Sequence, residues 1–365
     1  MKNLWIIILA SVLALFFAGC GNVPASSASD IEDTSRSLVR TVTDLGGNTV
    51  KLPPAEEIRR VVVIAPPTAS ILLGVIPDTD MIVGANERAF TSANNEIVGK
   101  LFPNWSRAET AFVSEGFVSN TEELLKLNPD IVFYYGDFQK SGIENLGIPT
   151  VDFMIEGENN PQTVTIAWDN LMRRIFDMEG STTLEQEWKD SNQKAQEVLS
   201  TYKGEKKSAL FLFSNTGGAI AVYGSHTYAD TWFEKSGLIN AAADVKGQAE
   251  VSMEQLYEWD PDHIYVFIGS PASMMLSNKV KGQDWSMLTA YKNKTIIDIP
   301  QAIYSWGSPC SDSPLMPLWL ISRSYPELLS VKEFSTLFSK YYERMYGIEL
   351  GDELITTVLS PRKPQ

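Results

Sequence analysis

The sequence predicts an α/β protein built as two lobes with mostly parallel strands, and three observations carry that expectation. Short β-branched and aromatic runs alternate with segments of helical period along most of the chain. One helix–turn–strand unit occurs twice, as Glu122-Glu123-Leu124-Leu125-Lys126-Leu127-Asn128-Pro129-Asp130-Ile131-Val132 and as Glu254-Gln255-Leu256-Tyr257-Glu258-Trp259-Asp260-Pro261-Asp262-His263-Ile264. Between the copies, residues 161–202 carry no strand signal: Val164, Ile166, Leu171, Ile175 and Met178 recur at helical spacing, and a charged stretch follows.

Taken in order, residues 40–52 have two β-type arms around Gly46-Gly47, a hairpin signal. Val61-Val62-Val63-Ile64, closed by Pro66-Pro67, reads as a buried strand, and a helix is expected from Thr68 or Ser70. Strands are expected at 80–84, 130–135 and 149–153, with a helix at 120–127 and a helical end at 143–146. The Gly180-Ser181 break splits the 161–202 stretch into two helices. That stretch reads either as a stiff inter-lobe connector or as a surface helical hairpin. The second block has strands at 208–213, 220–223, 263–268 and 295–299, and helices at 230–236, 252–259, 315–325 and 331–346. The expected organisation is residues 1–19 as a signal peptide, 20–38 as a flexible tether, 39–157 as the first lobe, 158–203 as the connector and 204–365 as the second lobe.

The first 19 residues are set apart by Lys2, an apolar run from Leu4 to Ala18 broken only by Ser11, and small residues before Cys20. The run is shorter than the roughly 17–25 residues a spanning helix needs, and fits the hydrophobic part of a secretion signal. Leu15-Phe16-Phe17-Ala18-Gly19-Cys20 resembles a bacterial lipoprotein signal, which implies cleavage before Cys20 and lipid on its thiol. The expected location is the outer or periplasmic side of the cell membrane. Residues 21–37 are small, polar and unpatterned, as a tether would be. A net charge of −15 argues against nucleic acid as a partner, because phosphate binding needs clustered Lys and Arg. With Cys20 lipidated, Cys310 has no partner for a disulfide within the chain.

At the duplicated unit the chain resembles the substrate-binding lipoproteins of bacterial ABC importers, in the class that takes up iron-siderophores, haem and cobalamin. The likeness also rests on Val42-Thr43-Asp44-Leu45-Gly46-Gly47, Arg60-Val61-Val62-Val63, Pro67-Thr68-Ala69-Ser70, Val251-Ser252-Met253-Glu254, Trp285-Ser286-Met287-Leu288-Thr289-Ala290-Tyr291 and Trp306-Gly307-Ser308-Pro309, in that order. The resemblance implies two α/β lobes joined by a long inter-lobe helix, a ligand cleft between them, and small closing movements. It implies a membrane permease with its ATPase as partners, a small-molecule metal chelate as cargo, and no intrinsic cofactor. An iron-siderophore is the expected cargo; haem, cobalamin and a nickel chelate are the alternatives within the same fold.

Glu122 and Glu254 match the acids with which such proteins dock onto permease arginines. The alternative is that they simply stabilise helix N-termini, and Glu123 rivals Glu122. Ligands sit at the carboxyl ends of strands in α/β sheets, which nominates residues 67–70, 86–88, the stretch near Gly116-Phe117, and 135–138 from the first lobe. The second lobe offers 215–218, 226–228, Gly269-Ser270 and 304–306. Thr68, Arg88, Tyr135, His226, Tyr228, Tyr304 and Trp306 are the ligand-binding candidates, since flat apolar faces with polar tips suit a bulky delocalised guest. His226 is also a candidate metal ligand, the alternative being an ordinary surface-loop histidine. His263, inside a strand, is expected to be structural. Cys310 would be a soft ligand if ionised, but free cysteine is usually a small buried hydrophobe. No paired histidines, Cys-x-x-Cys, Gly-x-Ser-x-Gly or phosphate-binding loop occurs, so no catalytic residue is nominated and an exported α/β enzyme is the outlying alternative.

Overall fold

The computed structural model describes residues 40–76, 78–178 and 183–362. Cys20, the signal, the tether and the Gly180-Ser181 break lie outside the described residues. The described residues belong to one compact unit.

Strands β1 (Arg40–Thr43) and β2 (Thr49–Leu52) form an antiparallel hairpin. Its Asp44 carboxylate accepts from Asn48 N at 2.7 Å, an Asx-type closure that fixes the turn. The first sheet is wholly parallel and contains β3 (Val61–Val63), β4 (Ile82–Ala85), β5 (Ile131–Tyr134) and β6 (Thr150–Asp152), in spatial order β4-β3-β5-β6. Helices α1 (Pro66–Val75), α2 (Arg88–Thr91), α3 (Asn95–Leu101) and α4 (Thr121–Lys126) connect them. Residues 143–146 are a turn instead of the expected helical end. Gly142, Asn145 and Gly147 all have positive φ (85°, 61° and 71°), which no right-handed helix can accommodate.

Helices α5 (Pro161–Phe176) and α6 (Leu184–Ser200) follow. They lie antiparallel, as three bonds show: Leu184 N to Asp169 (3.3 Å), Trp188 Nε1 to Thr165 Oγ1 (2.9 Å) and Asn192 Nδ2 to Gln162 Oε1 (3.0 Å). The connector is therefore a pair of long helices in which α5 packs on α1 and α6 on the helices of the second lobe.

The second sheet holds β7 (Ser208–Thr216), β8 (Ala219–Tyr223), β9 (Ile239–Asn240), β10 (Gln248–Val251), β11 (His263–Gly269) and β12 (Ile296–Asp298). Its main order is β10-β8-β7-β11-β12; β7, β11 and β12 run parallel, and β8 is antiparallel to both its neighbours. Helices α7 (Tyr228–Lys235), α8 (Met253–Trp259), α9 (Ala272–Leu276) and α10 (Thr289–Lys292) flank it, and α11 (Met316–Ser324), α12 (Val331–Tyr346) and α13 (Asp352–Leu359) complete the chain.

Strand periodicity sorts the side chains between cores. Val61, Val63 and Phe133 of the first sheet, and Ala209, Phe211 and Tyr265 of the second, enter one large apolar core shared with α5, α6, α11 and α12. The alternate residues Val62 and Val132 face a separate cluster with Phe112 and Leu124, while Leu210, Leu212 and Ile264 face another with Leu256 and Trp285. Each lobe thus keeps its own outer core, and both are fastened to a common helical one.

The duplicated sequence unit is a duplicated structural unit. In both copies the residue before proline ends the helix in the left-handed region, Asn128 at φ 45° and Asp260 at φ 36°. Both residue types tolerate that conformation better than most. The aspartate after the proline then caps the neighbouring strand. Asp130 accepts from Arg59 N and Arg60 N, both at 2.8 Å, and Asp262 accepts from Ser208 N at 2.8 Å.

Candidate ligand cleft

The first lobe presents an arginine-and-aromatic wall beyond the ends of β4 and β5. Asn86 Oδ1 accepts from Arg88 N at 2.9 Å and so begins α2, leaving the Arg88 side chain exposed. The Arg88 guanidinium carbon stands 5.0 Å from the centroid of the Phe117 ring, within cation–π range. Phe117 has φ 63°, a conformation costing roughly 1–2 kcal/mol for a residue with a Cβ. A bond from Phe117 N to Ser114 O at 2.9 Å holds that turn. Phe117 meets Phe138 edge-on at 5.8 Å; Phe138 meets Tyr135 at 6.3 Å; Tyr135 stands edge-on to Trp168 at 6.0 Å. Phe138 is 55% exposed.

The second lobe answers with phenols. The Tyr228 hydroxyl, at the start of α7, lies near that of Tyr135 in the first lobe. Tyr223 stacks on Phe213 at 4.6 Å, and Phe213 stands 5.8 Å from Phe267. Burial pushes the phenols of Tyr135 and Tyr228 up and that of Tyr223 to about 12. All three are neutral O–H groups at any physiological pH. The described residues here are mainly aromatic, with phenol hydroxyls, the Arg88 guanidinium and, near Tyr228, the Glu158 carboxylate as polar features.

Arg88, Tyr135 and Tyr228 come together here. Tyr304 lies at the same junction but is only 7% exposed, and burial raises its phenol to about 12. The bond from Asn94 N to Ala302 O (2.8 Å) ties the second lobe to the α2–α3 turn of the first. His226 is exposed at φ 60°, its backbone N donating to Asp230 at 2.6 Å, and its ring has no partner among the described residues.

Two candidates are corrected. Thr68 is fully buried, its hydroxyl donating to Ala65 O at 2.8 Å in the first turn of α1. Trp306 is also fully buried, packed on Trp319, Phe334 and Phe338 with its indole donating to Asp312 at 3.0 Å. Neither faces a cleft. Cys310 is likewise enclosed, and burial pushes its thiol up, away from the thiolate a metal would need. Among the described residues no group of three or more His, Cys, Asp or Glu is placed to hold a metal ion. Phe213, Tyr223 and Phe267 were not nominated individually. Their signal was the aromatic alternation Phe211-Leu212-Phe213 near a strand end. A separate groove of about 700 Å³, lined by Arg40, Thr43 and Arg174 among others, lies between the hairpin and α5 and includes none of the nominated residues.

Glu122 and Glu254 are both exposed in the first turns of α4 and α8, behind the caps Asn120 and Ser252. A hydrogen bond with Ser252 holds the Glu254 carboxyl below its ordinary value. Glu123 is engaged with Lys126 at 2.6 Å.

The fold has known counterparts. The profile of the periplasmic binding protein family matches residues 113–303. The molybdate-binding protein MolA of Haemophilus influenzae is 25% identical over 250 residues, 62% of this chain and 70% of that protein. A periplasmic solute-binding protein of Veillonella parvula superposes with a TM-score of 0.74 at 27% identity, covering 88% of this chain and 97% of its own. The Helicobacter pylori CeuE complex with nickel and histidine superposes at 0.68 with 20% identity, over 88% and 99% of the two chains, and shows the fold alone. Such proteins carry a transported ligand and no resident cofactor, and they are not enzymes. Among the described residues no helix is long and apolar enough to cross a membrane. With its two α/β lobes joined by long helices, the chain belongs to the periplasmic binding protein family.

Proposed function

We propose that this protein is held to the cell membrane by lipid on Cys20, captures a metal chelate, foremost an iron-siderophore, and delivers it to its permease through Glu122 and Glu254. The observation that carries the reading is the wall of Arg88, Phe117, Phe138 and Tyr135 opposite Tyr228. Its aromatic faces would pack against a chelate's ligand rings, and the guanidinium would neutralise its negative charge. Two acids far apart, one per lobe, would fix the orientation of the docked complex more than its strength, since each exposed pair contributes about 0–1 kcal/mol.

A second reading, capture of a bare oxyanion, is favoured by the 25% identity to a protein named for molybdate. Titration of the mature protein, followed by tryptophan fluorescence, separates the two. Ferric catecholate and ferric hydroxamate siderophores, haem, cobalamin, nickel with histidine, and molybdate are the probes. A saturable change with a ferric siderophore is expected. A response to molybdate alone establishes the second reading, and silence with every chelate overturns the first.

A further inference from the structure

Gly307, next to the enclosed Trp306, is buried, and its φ is not positive, so an alanine there meets no left-handed backbone strain. What excludes a side chain is the Phe267 ring. A Cβ on Gly307 would stand 2.7 Å from Phe267 Cγ and 2.8 Å from Cε2, and nearer still to Cδ2, where about 3.5 Å is an ordinary carbon contact. The three nearest atoms all belong to that one ring. Phe267 in turn backs the second lobe's side of the candidate cleft. Its ring stands 5.8 Å from that of Phe213, Phe213 stacks on Tyr223 at 4.6 Å, and Tyr223 lies near Tyr135 and Tyr228.

We propose that Gly307 is a positioning residue that sets the depth of the cleft: its missing Cβ is the seat of Phe267, and that seat keeps the Phe213–Tyr223 stack clear of a bulky guest. The part concerning the guest rests on the proposed function; the seat stands by itself. Gly307 has no room to retreat from an added methyl. Trp306 N donates to Pro300 O at 3.0 Å, the Trp306 indole donates to Asp312 at 3.0 Å, and Ser308 N donates to Ser305 O at 3.2 Å. Trp306 is also wedged among Trp319, Phe334 and Phe338. The ring must therefore yield, by roughly 1 Å. Phe211, fully buried with its ring 6.0 Å away, closes one side of it. Phe213 is only half-buried, so the ring yields toward Phe213 and the cleft. A shift of that size takes about one methylene of room from an apolar wall, and one methylene in such a pocket is worth about tenfold or more in affinity. Gly307 thus gauges the bulk of the guest, whereas Arg88, on the opposite lobe, answers to its charge.

Gly307→Ala tests the seat and the gauge separately. Crystal structures of the ligand-free wild type and variant should show the Phe267 ring displaced by about 1 Å toward Phe213, with residues 303–306 in place. A ring that stays while the 303–306 backbone moves overturns the seat. Titrations followed by tryptophan fluorescence use two ferric catecholates, one hexadentate and bulky, the other tetradentate and compact. Gly307→Ala should bind the bulky chelate about tenfold more weakly and the compact one within about twofold of the wild type. A structural role alone would weaken both equally, and equal losses overturn the gauge. Phe267→Ala supplies the control by removing the ring. In that background Gly307→Ala should change neither affinity by more than about twofold; a large loss there shows that the methyl meets something other than the ring, and overturns the proposal. Should Gly307→Ala alone fail to fold, the comparison of Phe267→Ala with the double variant decides. Failure of the wild type to bind either chelate counts against the proposed function and leaves the crystal structures to judge the seat.

Discussion

Asp130 caps β3 in the first lobe as Asp262 caps β7 in the second, and each follows a left-handed residue and a proline. Past that shared corner the two units diverge. The next residue is Ile131 in one and His263 in the other, both buried at the start of the central strand. Beyond the strand ends the first lobe exposes Phe138, after β5, and Arg88, after β4, whereas the second lobe's 302–306 segment, after β12, is enclosed. The comparison teaches that the same corner leads to different surroundings in the two lobes. One lobe exposes an aromatic wall with Arg88 and a strained Phe117; the other encloses its 302–306 segment.

The sharpest way to break that contrast is at the two aromatic candidates on opposite sides. Trp306→Ala should cost about 3–5 kcal/mol in urea unfolding, as expected for a fully buried indole. Phe138→Ala should change stability by less than about 0.5 kcal/mol. A large cost for Phe138 would mean that its ring is part of a core and not of a wall. The equivalence of the corners is tested next. Asp130→Ala and Asp262→Ala each strip a carboxylate from strand-end amides and should each cost about 1–3 kcal/mol, by denaturant titration at pH 7. Clearly unequal costs would separate the two units.

His263 supplies a pH test. Burial is the first cause that lowers its imidazole to about 4, so it is neutral in the folded state. Below its unfolded value of about 6.5 the unfolded chain binds the extra proton, and stability falls as pH drops from there toward 4. The loss should be on the order of 2 kcal/mol by pH 5. It should vanish in His263→Ile, which copies the first lobe; Asp312, whose carboxyl burial raises to about 6, works in the opposite direction over the same range, so the comparison is between variant and wild type at each pH. Smallest of all, Arg88→Ala should leave unfolding within about 0.5 kcal/mol and weaken chelate binding about tenfold, the scale of one charge-assisted contact.

The repeated unit was legible in sequence because each of its letters has a local cause: a cap, a left-handed stop, a proline, an aspartate for the neighbouring strand. The strands were legible from β-branching, although their sorting between shared and outer cores emerges only from the folded sheets. Short α2 and α3 carry too few turns to show a period. The cleft was legible in part. Loops after strands were nominated, yet a loop can turn its aromatic outward, as Phe138 does, or inward, as Trp306 does. What decides for Trp306 is Asp312, a partner six residues on that had no motif to announce it.

The hairpin at the start of the described chain has a mechanical consequence. Leu45 N donates to Asp152 O at the end of β6, while the Arg40 guanidinium grips Ile175 O at 2.7 Å and Asp177 at 2.8 Å beyond α5. Any tension arriving from residues before Arg40 meets this ribbon first. It is carried as shear across four residue pairs and passed to a sheet edge and a helix terminus.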